Sequence, residues 1–214
     1  FKHNSSSTNK KSKQSEIEHK NIIPNNRNHL FIETEITKDN YFSNIQGVVI
    51  NYGFQEDMNI HYLKTMEDKS KSIQNFDNDR NQILFELFDG HGGSDVSEFL
   101  QKNFAHIYKQ YLHESQYNIV KSLNEAFLAA DEEIKKLPNI EAKGATGTIV
   151  HIIWEGNNRL VVYTGNVGDS RVSLISNSKI IRLSQDHRAA DEGERKRIID
   201  EGAIIINNSY TVIL

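Results

Sequence analysis

Two long stretches with an apolar residue at every third or fourth position, flanked on both sides by short strand-like runs, constrain this 214-residue chain more than any other feature. The first begins at Ser94, a residue suited to an N-cap, and places Val96, Phe99, Leu100, Ile107, Tyr108 and Tyr111 near a helical period. The second covers about residues 118–137, with Ile119, Leu123, Ala126, Phe127, Ala130 and Ile134 on one face, and Pro138 ends it. Strand-like runs precede the helices at 30–36, 48–52, 58–65 and 82–88. After them, 148–154 and 160–165 flank the turn Gly156-Asn157-Asn158 as a β-hairpin, and 171–175 pairs with 180–183 across Asn177-Ser178. A charged helix at 190–201 stops at Gly202. Strands, then two helices, then a strand meander predict one α+β domain whose antiparallel sheets are covered by helices.

Composition narrows the chemistry. The chain has no cysteine, so a disulfide framework, a thiolate metal site and a cysteine nucleophile are all excluded, and any metal must rest on oxygen or imidazole. Its apolar runs fall far short of the roughly 20 residues that span a bilayer, so a soluble protein is expected, in cytoplasm or nucleus. The net charge of -4 is uneven: residues 1–30 carry six Lys or Arg against two Glu, leaving 19 against 27 for the rest. That Asn/Ser/Lys-rich segment has too few apolar residues to offset its ordering entropy and is expected to be a disordered tail, with residues 31–214 as the domain. Its Lys10, Lys11 and Lys13 suit a nuclear address or a phosphate-seeking patch, but a solvated low-complexity extension is the favoured reading. The chain begins at Phe1 rather than Met, which leaves room for an upstream targeting segment.

Chemistry concentrates at FELFDGHGG, residues 85–93, where an apolar strand runs into an acidic, glycine-rich turn. An Asp at a strand end is rigidly placed, and Gly90 lets its backbone carbonyl approach a cation, so Asp89 and Gly90 suit a hard ion that takes oxygen ligands. His91 follows, and imidazole is the side chain most used to protonate a leaving alkoxide near neutral pH. Alone, such a tripeptide is more often a solvated turn. Eighty residues on, GNVGDSR sets Asp169 in a second tight turn between apolar strands, where a delivered carboxylate and a turn acid that only hydrogen-bonds the backbone are equal readings of the local chemistry.

Taken in order, FDGHGG, GATGT, GNVGDSR and LSQDHRAADEGERKRI resemble the successive motifs of the protein phosphatase 2C family, over roughly residues 45–205. The resemblance implies two packed antiparallel β-sheets flanked by helices, an α-β-β-α sandwich, here without its C-terminal part. It implies two Mn²⁺ or Mg²⁺ ions bridged by Asp89, with the Gly90 carbonyl on one, Asp169 helping to hold a weaker third ion, and His91 as general acid. The implied reaction is dephosphorylation of phosphoserine and phosphothreonine in proteins by a metal-activated hydroxide at a binuclear site. The implied partner is a phosphorylated protein substrate, with neither nucleic acid nor membrane, and the chain is expected to be a monomer. Asp186 and His187 match the family's Asp-His pair, for which a structural role is expected, and Glu194 with Arg197 are expected to form a solvated face or a local ion pair.

The family also places an acidic pair before the bridging aspartate, and two candidates stand here. Glu56-Asp57 is preferred, because MNIHYLKT after it reads as the strand the family requires. Glu67-Asp68 is the alternative, but KSKSIQNFDNDRNQ after it reads as a polar loop. The family's phosphate-gripping Arg, four residues before the acidic Glu, is replaced by Tyr52 or, in the second alignment, Leu63. The chain also stops before the family's later Asp-Gly and Asp-Asn motifs. These departures keep open a second function, a catalytically impaired phosphatase-like domain that binds a phosphoprotein or acts as a scaffold. An unrelated nucleic-acid module is disfavoured by the acidic body and the lack of a basic aromatic face.

Overall fold

The computed structural model describes residues 17–22, 31–37, 65–157, 159–176, 178–202, 204–206 and 211–213. The strand-like run at 48–52, all of the run 58–65 except Thr65, the pair Glu56 and Asp57, and Tyr52, Leu63 and the Lys10, Lys11, Lys13 cluster lie outside them.

Six strands form one antiparallel sheet: β1 (Ile17–Ile22), β2 (Phe31–Thr37), β3 (Lys69–Gln74), β4 (Gln82–Phe88), β7 (Gly147–Gly156) and β8 (Arg159–Val167), in the order β1-β2-β8-β7-β4-β3. Between β4 and β7 the chain makes the two-residue strands β5 (Gly90–His91) and β6 (Gly144–Ala145), which pair, and the helices α1 (Asp95–Glu114) and α2 (Ile119–Ile134). The hairpin β9 (Ser173–Ser176) and β10 (Lys179–Arg182) follows β8, then α3 (Glu192–Asp200) and the pair β11 (Ile204–Ile206) and β12 (Thr211–Ile213). The result is an α+β fold of antiparallel sheets with helices, as the order of periodic segments predicts.

Strand alternation decides what faces what. On one face of the sheet Leu84, Phe88 and Ile149 meet Leu100, Phe104, Tyr108, Leu112, Leu123 and Phe127 of the two helices. Leu84, Phe104 and Leu123 are fully buried, and such side chains stabilise by roughly 1.5–3 kcal/mol each. On the opposite face Val150, Ile152 and Val162 pack with Val172, Leu174, Ile181 and Leu183 from and around the β9–β10 hairpin. The large sheet is therefore covered by helices on one side and by a second, two-stranded sheet on the other.

Helix ends follow local chemistry. Asn118 caps α2, its side chain accepting from the Lys121 amide at 3.1 Å. Ser94 occupies the N-cap position of α1, but its hydroxyl donates to Glu98 at 3.0 Å instead of accepting from the backbone. Gly202, at φ +93°, follows α3 as the expected helix stop.

One reading of the sequence needs revision. The segment after Glu67-Asp68 is not a polar loop: KSKSIQ is β3, paired residue by residue with β4 from Lys69 opposite Phe88 to Gln74 opposite Ile83. It lacks apolar alternation because it is held by backbone pairing and by polar contacts to α1. The Lys71 ammonium donates to the Gln101 carbonyl at 3.2 Å and the Gln101 carboxamide to the Ser70 carbonyl at 2.8 Å. Within the first thirty residues the described segment β1 pairs with β2, from Ile17 opposite Ile36 to Ile22 opposite Phe31.

Candidate metal centre

Three segments distant in sequence meet at the end of β4, and Thr146 joins them. Asp89 leaves β4 with its carbonyl accepting from the Thr146 amide at 2.8 Å and its own amide donating to the Thr146 hydroxyl at 3.3 Å. The same hydroxyl meets that of Ser170, next to Asp169, at 2.7 Å. Gly168 completes the junction: at φ +93° it lies so close that a Cβ would stand 2.7 Å from the Thr146 methyl. The motifs DGHGG, GATGT and GDSR are thus one interlocked unit. Sequence reading singled out GATGT but gave Thr146 no role; its signal was a hydroxyl in a glycine-rich turn between two acidic turns.

The turn bearing Asp169 is fixed from behind. The Asn166 carboxamide donates to the carbonyls of Gly168 and Gln185, each at 3.0 Å, while accepting from Thr148 at 2.8 Å. The His187 amide donates to the Gly168 carbonyl at 2.9 Å, and burial lowers the pKa of the His187 imidazole. Asp186, buried, accepts from Arg171 Nε and Nη2 at 3.0 and 2.6 Å and from Arg182. The fork of Arg171 holds its carboxyl down at about 2. Asp186 and His187 therefore brace the turn, and Arg197 closes a bidentate pair on Glu194 at 2.7 and 2.5 Å.

Asp68 reaches the same place from β3. Because Lys69 pairs with Phe88, the residues just beyond, Asp68 and Asp89, fall side by side, near enough for the Asp68 carboxyl to act on that of Asp89. The Asp89 pKa is raised, first by burial, then by the charge and hydrogen bond of Asp68 and the charge of Asp169, with His91 opposing. Ser97 of α1 contributes by donating to the Glu67 carbonyl, which lies over Gly90; a Cβ on Gly90 would be 2.5 Å from that oxygen. His91 is exposed, and its ring rests on Gly144, where a Cβ would stand 2.6 Å from Nε2.

The structure thus brings Asp89, Gly90, His91 and Asp169 to one end of the sheet and adds Asp68, the less favoured sequence candidate. Among the described residues no three His, Cys, Asp or Glu side chains converge tightly enough to hold a metal ion by themselves. The donors are nevertheless of one chemical kind, carboxylate and carbonyl oxygen. Two carboxyl groups side by side near a third acid mark a surplus of negative charge that a hard divalent cation would relieve. The donor chemistry fits such an ion.

With this fold and this cluster of acidic turns, the comparison with known proteins is decisive: the family model for protein phosphatase 2C matches residues 52–212, and the chain belongs to that family. "Protein phosphatase 2C homolog 1" of Schizosaccharomyces pombe is 29% identical over 164 residues, 76% of this chain and 47% of the relative. Its namesake in Saccharomyces cerevisiae is 32% identical over 181 residues, 78% of this chain and 64% of the relative. The chain thus spans about half to two thirds of these relatives' lengths. Among solved structures, a phosphatase from Toxoplasma gondii superposes with a TM-score of 0.55 at 19% identity, covering 94% of this chain and 64% of that one. A Caenorhabditis elegans sex-determining protein superposes at 0.54 with 21% identity, covering 69% and 38%; both likenesses concern the fold. Among the described residues no helix is long and apolar enough to cross a membrane.

Proposed function

We propose that this chain carries the metal-binding half of a protein serine/threonine phosphatase that hydrolyses phosphoserine and phosphothreonine at a binuclear Mn²⁺ or Mg²⁺ site. The observation that carries the reading is the placement of Asp68 beside Asp89 within reach of the Asp169 charge, on turns locked by Thr146. Asp89, the Gly90 carbonyl and Asp169 would hold the ions. We assign the accompanying acidic pair to Glu67 and Asp68 rather than Glu56 and Asp57, because β3, which follows Glu67-Asp68, is the strand that the family pattern asks for. Bound there, the ions would supply Lewis acidity, acidifying water and offsetting charge on the phosphoryl oxygens.

The chain's own residues do the rest. Thr146 keeps Asp89 and the Asp169 turn in register, so the carboxylates are positioned before substrate arrives. His91, exposed on Gly144, donates the proton that the departing serine or threonine oxygen requires. The test is Mn²⁺ titration calorimetry and phosphopeptide hydrolysis with Asp89→Asn, Asp68→Asn and Asp57→Asn. Loss of binding in the first two alone supports the assignment; loss with Asp57→Asn and not with Asp68→Asn restores Glu56-Asp57.

A second reading is favoured by the sequence at the phosphate-gripping position, Tyr52 or Leu63 in place of Arg. In it the domain binds a phosphoprotein without turning it over. Metal-dependent hydrolysis of a phosphopeptide separates the two.

A further inference from the structure

The side-chain network behind Asp169 holds more positive charge than its bracing role consumes. Three arginines converge on one carboxylate. Asp186, whose side chain is 7% exposed, accepts from Arg171 Nε and Nη2, from Arg182 Nη2, and lies 3.5 Å from Arg188 Nε. Arg188 Nε also donates to Asp169 at 3.2 Å. Against three guanidinium groups there are two carboxylates, a surplus of one positive charge on a chain of net charge -4. The arginine side chains are 51%, 47% and 42% exposed, so their free edges meet solvent. Arg188 Nη1 and Nη2, Arg171 Nη1 and Arg182 Nη1 have no hydrogen-bond partner among the described residues.

We propose that Arg171, Arg182 and Arg188 form an anion subsite beside the candidate centre, taking a carboxylate or second phosphate carried by the substrate next to its phosphorylated residue. The ligand's identity as a substrate segment rests on the phosphatase reading; the anion site itself does not. Planar guanidinium forks match both carboxylate and phosphate. They are preset, because buried Asp186 aims all three and the Ser184 carbonyl accepts from Arg182 Nε at 2.9 Å, which lowers the ordering cost of binding. Arg188 touches Asp169 directly, so an anion on its outer edge lies about one or two residues of extended chain, at ~3.3 Å each, from a phosphate at the centre. The site therefore selects phosphopeptides with acidic or phosphorylated neighbours.

Fluorescence anisotropy of the 214-residue chain tests this without requiring turnover. Three labelled phosphoserine peptides are compared, flanked by Gly and Ala, by Glu, or by a second phosphoserine. The variants are Arg182→Met and Arg188→Met, singly and together; Arg171 stays to partner the buried carboxylate. The wild type should bind the anionic peptides about tenfold tighter than the neutral one, less so at high salt. The double variant should bind all three within about twofold, and the Lys counterparts should keep part of the preference. Whether Glu or phosphoserine gains more identifies the source of the anion. If thermal melting shows that the Met variants unfold, the Arg182→Lys and Arg188→Lys pair decides. Equal affinities in the wild type, or a preference that survives in the double variant, would overturn the subsite. Hydrolysis of the same peptides reports separately: binding preference without turnover sinks the phosphatase reading and leaves the subsite standing.

Discussion

Lys71 and Glu86 stand directly opposite each other in the β3–β4 ladder, yet they do not pair: the Lys71 ammonium donates to the Gln101 carbonyl of α1, and neither Glu86 carboxyl oxygen has a partner among the described residues. Glu86 is 1% exposed, on the sheet face covered by the helices, between Leu84 and Phe88. Desolvation pushes its pKa up to about 8, with only the Lys71 charge opposing, so the carboxyl is mostly protonated at neutral pH.

Glu86 should therefore cost stability as pH rises. Its folded pKa lies above the unfolded value of 4.5, so its contribution is present in full below that value and is lost towards about pH 8. Glu86→Met, which removes the orphaned oxygens at similar volume, should stabilise the protein by ~1–3 kcal/mol at pH 8. The gain should shrink towards pH 5. Urea denaturation at the two pH values checks this; a gain independent of pH would mean that packing alone is responsible.

His151 acts in the opposite sense. Fully buried, it meets the Gln82 carboxamide oxygen through Nε2 and the Tyr108 hydroxyl through Nδ1, each at 2.8 Å. The carboxamide oxygen only accepts, so Nε2 carries the proton and Nδ1 accepts from Tyr108. Burial lowers the His151 pKa to about 3. The unfolded chain thus binds the extra proton, and stability from this group is lost as pH falls from 6.5 towards 3. Tyr108→Phe, leaving Nδ1 without a donor, should cost ~1–3 kcal/mol at pH 7. Calorimetric melting across that pH range measures both effects.

Thr146→Val keeps the shape of the junction and removes its hydroxyl. Asp89 and Ser170 each lose a partner, so Mn²⁺ affinity should fall several-fold while stability drops by only ~1 kcal/mol. Calorimetric titration beside thermal melting separates the two. Equal Mn²⁺ affinity in the variant would show that the hydroxyl plays no part in aligning the carboxylates.

Gly144→Ala should displace the His91 ring, because the added methyl would sit 2.6 Å from Nε2. If His91 donates the leaving-group proton, turnover of a phosphoserine peptide should fall by about 10²-fold, the scale of general acid catalysis. An aryl phosphate, whose oxide leaves without help, should lose far less. Comparable losses on both substrates would point to a collapsed turn rather than a misplaced acid.

Elements with a strong apolar period were legible in the sequence: β4 begins and ends where the run 82–88 does, and α1, α2 and the two hairpins fall within a few residues of expectation. β3 was not. Its single apolar residue is Ile73, and as a polar strand paired on one side to β4 it draws its order from ladder hydrogen bonds that carry no sequence signature. The misreading of β3 made Glu67-Asp68 look unsupported, so Asp68 ranked second although it lies against Asp89. Glu86 was hidden for the converse reason, since a lone acid inside FELF looks like an outward-facing position until alternation assigns it to the helix side.

The clasp between Asp89 and Thr146 joins positions 57 residues apart, with both long helices in between. During synthesis α1 and α2 can meet as soon as both have left the ribosome, since their contacts are local. The acidic turns cannot. The β3–β4 hairpin brings Asp68 and Asp89 together locally, but β4 must wait for β7 and Asp169 arrives later still, so the third acid joins them only after Ser170 has emerged. Growing chains thus complete the cluster of three acids only once the sheet that holds them is in place.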